Sequence, residues 1–166
     1  KLQTPRPAPH IMRGYDPPLK ESLLATIGQK GEDIKESFTM GMPRIDVGDP
    51  YFFSAQAIRG GHFAPNLWPN RPSSFRETLE VYFEQMLDLA RTVHRLFAIA
   101  LGIEETFFDK FLTRPFTMAR LIHYPPQSVP PKPGQVRAGE HTDYDNVTFL
   151  LTDECAGGLQ TRGRDG

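Results

Sequence analysis

The sequence predicts an α+β protein, and three observations carry that expectation. Between Pro72 and Gly102 apolar residues recur at intervals of three and four, the period of a helix that buries one face. From Pro115 onward the pattern changes to alternation and short apolar runs broken by proline and glycine, as strands and turns require. Residues 1–53 hold neither period for long. The 16 prolines and 14 glycines cluster between patterned stretches, which describes a loop-rich globular chain without low-complexity tracts or repeats. A length of 166 residues suits one structural unit. Within it, residues 1–72 form an irregular N-terminal α/β region, and residues 73–166 form the long helix and the strands that follow.

Charge and cysteine content exclude several functions. The 19 Lys and Arg residues nearly balance the 20 Asp and Glu residues, for a formal net charge of -1, so no basic stripe marks a nucleic-acid face. No apolar run approaches the roughly 20 residues of a membrane helix. The opening "KLQTPRPAPH" lacks the apolar core of a signal peptide. Cys155 is the single cysteine and has no internal partner, which fits a reducing compartment, so a cytoplasmic protein is expected.

The elements follow in order. Leu19 to Ile27 reads as a short helix after Pro17 and Pro18, and "GEDIKESFTMG" as a polar turn leading into an extended piece. In the long helix, Ser74 and Glu77 have capping-box spacing. Leu79, Phe83, Met86, Ala90, Val93, Phe97 and Ala100 share its apolar face, His94 falls off that face toward solvent, and Gly102 supplies the stop. Such a helix is roughly 40 Å long, a support for a larger body. In "PFTMARLIHYPP" alternation places Phe116, Met118, Arg120, Ile122 and Tyr124 on one face of a strand. His123 lies on the other face as a packing residue, and Pro125 and Pro126 end the ladder. The remainder reads as a β-meander entering at His141, turning near Asp145 and Asn146, continuing through "VTFLLT", and turning again at Gly157 and Gly158.

The chemistry concentrates in "GEHTDYDNVTFLL". His141 and Asp143 stand two residues apart, and in a strand such residues face the same way, so both can reach one metal ion. A His-x-Asp by itself has a bland alternative, the capping of a turn. His10, His62 and His94 show no ligand spacing with one another.

Together with "RLIHYPP", "GGLQ", "KESFTMG", "NLWP" and "FRETLEVYFEQM", that stretch resembles the isopenicillin N synthase-like branch of the iron(II) and 2-oxoglutarate-dependent dioxygenases, from about Tyr15 to Gln160. The resemblance implies a double-stranded β-helix, or jelly-roll, of which this chain holds a part. It implies Fe(2+) as cofactor and 2-oxoglutarate as cosubstrate, with a small-molecule substrate oxidised as succinate and CO2 form. Two histidines and one carboxylate on a triangular face suit such iron, and His141 and Asp143 correspond to two of the three. Tyr124 corresponds to a tyrosine that contacts the cosubstrate. Arg120 has two open readings, a cation facing a carboxylate in the cavity or the partner of a nearby acid. Ile122 stands where many members place asparagine.

The family pattern continues to a distal histidine and an Arg-x-Ser pair that these 166 residues do not contain. A piece of a longer protein is therefore expected, with self-association through exposed sheet edges if it stands alone. Alternative expectations are an iron oxidase that does without 2-oxoglutarate and a truncated, inactive relative acting as a binding protein.

Overall fold

A computed structural model describes residues 4–19, 33–127, 130, 135–143, 146–154 and 158–163. The short helix expected over Leu19 to Ile27 lies almost entirely outside them. So do Cys155, Asp145 and Gly157.

Three strands form one antiparallel sheet in the order β1 (Gly14–Asp16), β2 (Glu36–Gly41), β3 (Met118–His123). Both parts of the chain contribute, since β1 and β2 precede the long helix and β3 follows it. β2 is central: Thr39 stands opposite Gly14 on one side and Arg120 on the other, and Phe38 opposite Tyr15 and Leu121. That register puts Tyr15, Glu36, Phe38, Met40, Leu121 and His123 on one face, and Asp16, Ser37, Thr39, Arg120 and Ile122 on the other. The alternation expected for β3 is therefore present, with His123 opposed to Arg120.

Burial is concentrated in β2. Met40 is fully buried, and the polar residues Ser37 and Thr39 are buried beside it. The end of β2 is held by Asn66 of "NLWP". Its side-chain oxygen accepts from the Gly41 N–H at 2.8 Å and its amide donates to the Gly41 carbonyl at 3.0 Å, so one side chain satisfies both backbone groups as a neighbouring strand would. Gly41 has no Cβ because the Arg13 guanidinium fills that space. Burial pushes the Arg13 guanidinium down from its ordinary range, while the carbonyls of Met12, His62 and Ala64 accept its hydrogens.

Helix α1 (Ala55–Gly60) follows a 3-10 turn at Pro50–Phe53, and Phe52, Phe63 and Phe116 stack edge to face nearby. Helix α2 (Phe75–Ala100) is the long support expected, 26 residues in all. Phe75 meets Phe38 edge to face at 5.1 Å, and Trp68 lies against both, so the start of α2 is fastened to the central strand. Gly102 ends it with φ +69, while the Ile103 N–H reaches the Ala98 carbonyl and the Gly102 N–H the Ile99 carbonyl. This is the Schellman pattern, which glycine permits.

Two expectations for α2 are corrected. The capping box does not form: Ser74 is already helical at φ -75 and ψ -11, its carbonyl accepts from the Thr78 N–H, and its hydroxyl caps nothing. A side-chain cap needs an extended residue there. The buried line also departs from the expected stripe. Phe83, His94 and Ala98 are the buried residues, whereas Phe97 is 45% exposed and Ala100 also faces outward. Positions 90, 94 and 98 follow a four-residue row, so the inward side lies one residue later than a three-residue step predicts. His94 is thereby buried where exposure was expected.

The C-terminal β-meander is corrected as well. Among the described residues no strand follows β3, and beyond it only Val136 makes an isolated bridge, to Asp33. A strand exists by its ladder, and "VTFLLT" has no ladder partner among the described residues. Its Leu150 and Leu151 are 65% and 84% exposed.

The sheet carries one testable pH effect. The Tyr15 hydroxyl donates to Glu36 Oε2 at 2.5 Å, and this bond, with burial and the carboxylate charge, pushes the Tyr15 phenol up from 10.0 to about 12. A raised acid contributes its full stabilisation below the unfolded value and loses it as pH climbs through the folded one, so the loss falls between pH 10 and about 12. Tyr15→Phe should cost about 1 kcal/mol at neutral pH and flatten that alkaline limb in urea denaturation. An alkaline limb identical in the variant would show that another group titrates there.

Candidate metal site

A residue with no exposure begins the path to the site. Asp33 is completely buried, three residues before β2, and its carboxylate meets Lys35 Nζ at 3.1 Å. Lys35 is itself 4% exposed. A buried carboxylate requires charge pairing and hydrogen bonds, and Asp33 also accepts the Gly139 N–H on Oδ1 at 3.3 Å. The neighbouring backbone adds an Ile34 N–H to Val136 carbonyl bond at 3.0 Å. The segment leading to His141 is thus tied to the chain entering β2.

From Gly139 the geometry passes to His141. The Gly139 carbonyl accepts from His141 Nδ1 at 2.8 Å. With its hydrogen on Nδ1, the imidazole presents the lone pair of Nε2 outward. That nitrogen faces Asp143 Oδ1 at 3.3 Å, and the other carboxylate oxygen accepts the Thr148 hydroxyl. Both side chains are part-exposed, at 32% and 47%.

With the imidazole neutral, two lone pairs face each other here, and a cation between them would turn repulsion into attraction. Metal bonds of about 2.1 Å set at a right angle place their donors roughly 3 Å apart, close to the separation observed. Partners on the outer atoms of an imidazole and a carboxylate are the usual way that ligands are oriented. His141 and Asp143 therefore fit two positions of a metal site. Among the described residues no group of three or more His, Cys, Asp or Glu side chains converges on one point.

The convergence does not arise as expected. Residues 141–143 form no strand, so a shared strand face does not align the pair. The Gly139 carbonyl and the Thr148 hydroxyl do. A second tie lies on the far side of the loop, where His94 Nδ1 donates to the Ala90 carbonyl at 2.7 Å and Nε2 accepts from the Asn146 amide at 3.1 Å. Phe97 and Phe108 flank that imidazole edge to face.

The other two candidates sit on and beside β3. Arg120 donates from Nε to Thr39 Oγ1 at 3.2 Å, and its guanidinium lies 4.0 Å from Asp16 Oδ2, so it has an acid beside it on the sheet. Tyr124 follows the end of β3 and is 37% exposed. His123 is hydrogen-bonded to Glu36 Oε1 at 2.8 Å, although its side chain is 61% exposed. Asp33 and Thr148 were not singled out from the sequence, and His94 was assigned to solvent. Asp33 and Lys35 had a visible signal in their opposite charges two residues apart at a strand entry, and His94 in its four-residue step from Ala90. Thr148 had none.

No protein-family model matches the chain. Over 152 residues it is 33% identical to the 2-oxoglutarate-Fe(II) type oxidoreductase hxnY of Emericella nidulans, covering 87% of this chain and 40% of that protein. It is 34% identical over 152 residues to the 2-oxoglutarate-dependent dioxygenase citB of Monascus ruber, covering 87% of this chain and 44% of the relative. A Neurospora crassa protein, solved at full length in complex with alpha-KG and thymine, superposes with a TM-score of 0.61 at 30% identity over 87% of this chain and 43% of that one. The chain belongs to the 2-oxoglutarate-Fe(II) oxygenases. It spans less than half the length of these relatives. No helix among its described residues is long and apolar enough to cross a membrane.

His94→Leu should remove the acceptor of the Asn146 amide, at a cost of about 0.5–1.5 kcal/mol for a part-buried hydrogen bond. In hydrogen exchange the amides around Thr148 should open faster than those of β2. Equal protection in the variant and the natural chain would show that His94 does not hold this loop.

Proposed function

We propose that the protein containing this chain is a non-haem iron(II) oxygenase that oxidises a small organic substrate with O2 and 2-oxoglutarate, releasing succinate and CO2. The observation that carries this reading is the pair of donors facing each other, His141 Nε2 and Asp143 Oδ1, 3.3 Å apart with their other polar atoms tied. Family membership supports the cosubstrate, since relatives are described as 2-oxoglutarate-dependent and the Neurospora crassa structure holds alpha-KG.

When bound, iron(II) supplies activation of O2 coupled to decarboxylation of 2-oxoglutarate. The residues of this chain do the holding. His141 and Asp143 would hold the iron through Nε2 and Oδ1, and a third ligand, cosubstrate and O2 would complete its surroundings. Tyr124 supplies a phenol on the cosubstrate side. Of the two readings of Arg120, the contacts to Thr39 and Asp16 support the partner of a nearby acid, and a role toward the cosubstrate carboxylate rests on the resemblance alone. In the jelly-roll of this family, β1 to β3 would form part of one layer, with α2 as the brace behind it.

The test is anaerobic Fe(II) binding followed by exposure to O2 with 2-oxoglutarate. His141→Ala and Asp143→Ala should each weaken iron binding at least about 10-fold, in keeping with the loss of one ligand from a small set. Succinate should form in step with O2 consumption. O2 uptake without succinate would favour an oxidase, and iron retained undiminished in both variants would place the metal elsewhere.

A further inference from the structure

We propose that Asp33, charge-balanced by Lys35, is the positioning residue that sets the His141 ring for metal binding. This rests on the metal site proposed above and names the part of the chain that builds it. The route is short. Asp33 Oδ2 holds Lys35 Nζ at 3.1 Å, Asp33 Oδ1 accepts the Gly139 N–H at 3.3 Å, and the Gly139 carbonyl receives His141 Nδ1 at 2.8 Å. The Val136 bridge to Asp33 holds the same loop by its backbone.

Burial gives the arrangement its purpose. A fully buried carboxylate paired with a 4% exposed lysine gains little stability over an apolar pair of equal volume, so the pair adds directed acceptors rather than free energy. Lys35 engages one oxygen and leaves the other aimed at Gly139. Because Gly139 is fixed, its carbonyl selects the imidazole tautomer with hydrogen on Nδ1, and Nε2 is left as a donor for the metal. Without that hold the ring can rotate or adopt the other tautomer, and the affinity falls while the sheet remains.

The two roles of the pair separate in the double substitution Asp33→Leu with Lys35→Met. Apolar side chains of similar volume should preserve the fold, yet the Gly139 N–H loses its acceptor. Co(II) serves as the probe, titrated into the full chain while its visible absorption is followed. We expect Co(II) affinity to drop about 10-fold or more and the band to shift, with the melting transition retained. The control, Asp33→Asn combined with Lys35→Met, keeps an oxygen toward Gly139 without leaving a buried charge unpaired, and should restore most of the affinity. His141→Ala serves as the reference: if it leaves Co(II) binding unchanged, the metal reading fails and the positioning role falls with it. If His141→Ala abolishes binding but the folded double variant binds Co(II) with natural affinity and spectrum, the positioning role alone is overturned. Should the double variant not fold, nitrogen-15 NMR of the metal-free natural chain decides, because a His141 ring carrying its hydrogen on Nε2 contradicts the proposal and one carrying it on Nδ1 supports it.

Discussion

The Asp33 carboxylate occupies a position that water does not reach, and a charge so placed must be answered from every side. Lys35 answers one oxygen and Gly139 the other. Those two partners lie in different parts of the chain, one beginning the central strand and the other introducing the His-x-Asp segment. The same constraint that makes the pair costly to bury therefore joins the sheet to the segment that carries His141 and Asp143. Around this junction the remaining parts fall into supporting roles. Asn66 closes the far end of β2, the Phe38, Trp68 and Phe75 cluster fastens α2 to it, and His94 holds Asn146 from the helix side.

Polar atoms, more than apolar area, define this part of the molecule. Arg13, Asp16, Asp33, Lys35, Glu36, Thr39 and His94 are all buried, beside only five buried apolar residues among those described. Each buried polar group brings a directional demand that apolar packing lacks. The outer side of α2 shows the contrast, with Val81, Leu89, Leu96 and Ile99 all exposed. The helix is apolar on more than one side, and its polar anchor, His94, settles which side turns toward the 146–148 segment.

Much of this was legible in the sequence where local rules act alone. The body of α2, its stop at Gly102, and the strands in "KESFTMG" and "MARLIH" follow from periodicity and backbone preference. The capping box was misleading because two residues at the right spacing say nothing of whether Ser74 is extended or helical. His94 was misplaced because the turn of an α-helix is not a whole number of residues, so a face assigned in threes and fours drifts by one position over a long helix. The strand expected at His141 requires a ladder partner, which no local pattern supplies. At the site, His141 and Asp143 were visible as a spacing and sharpened by family resemblance. Their alignment was not, because Asp33 lies 106 residues before Gly139.

The central claim is that His141 and Asp143 hold one iron through Nε2 and Oδ1. X-ray absorption at the iron edge of the Fe(II)-loaded protein tests it most directly, since imidazole scattering counts the histidine ligands. Loss of one imidazole contribution in His141→Gln, with the Asp143 oxygen shell retained, is the expected result. An unchanged imidazole contribution in that variant would contradict the assignment of His141 as a ligand.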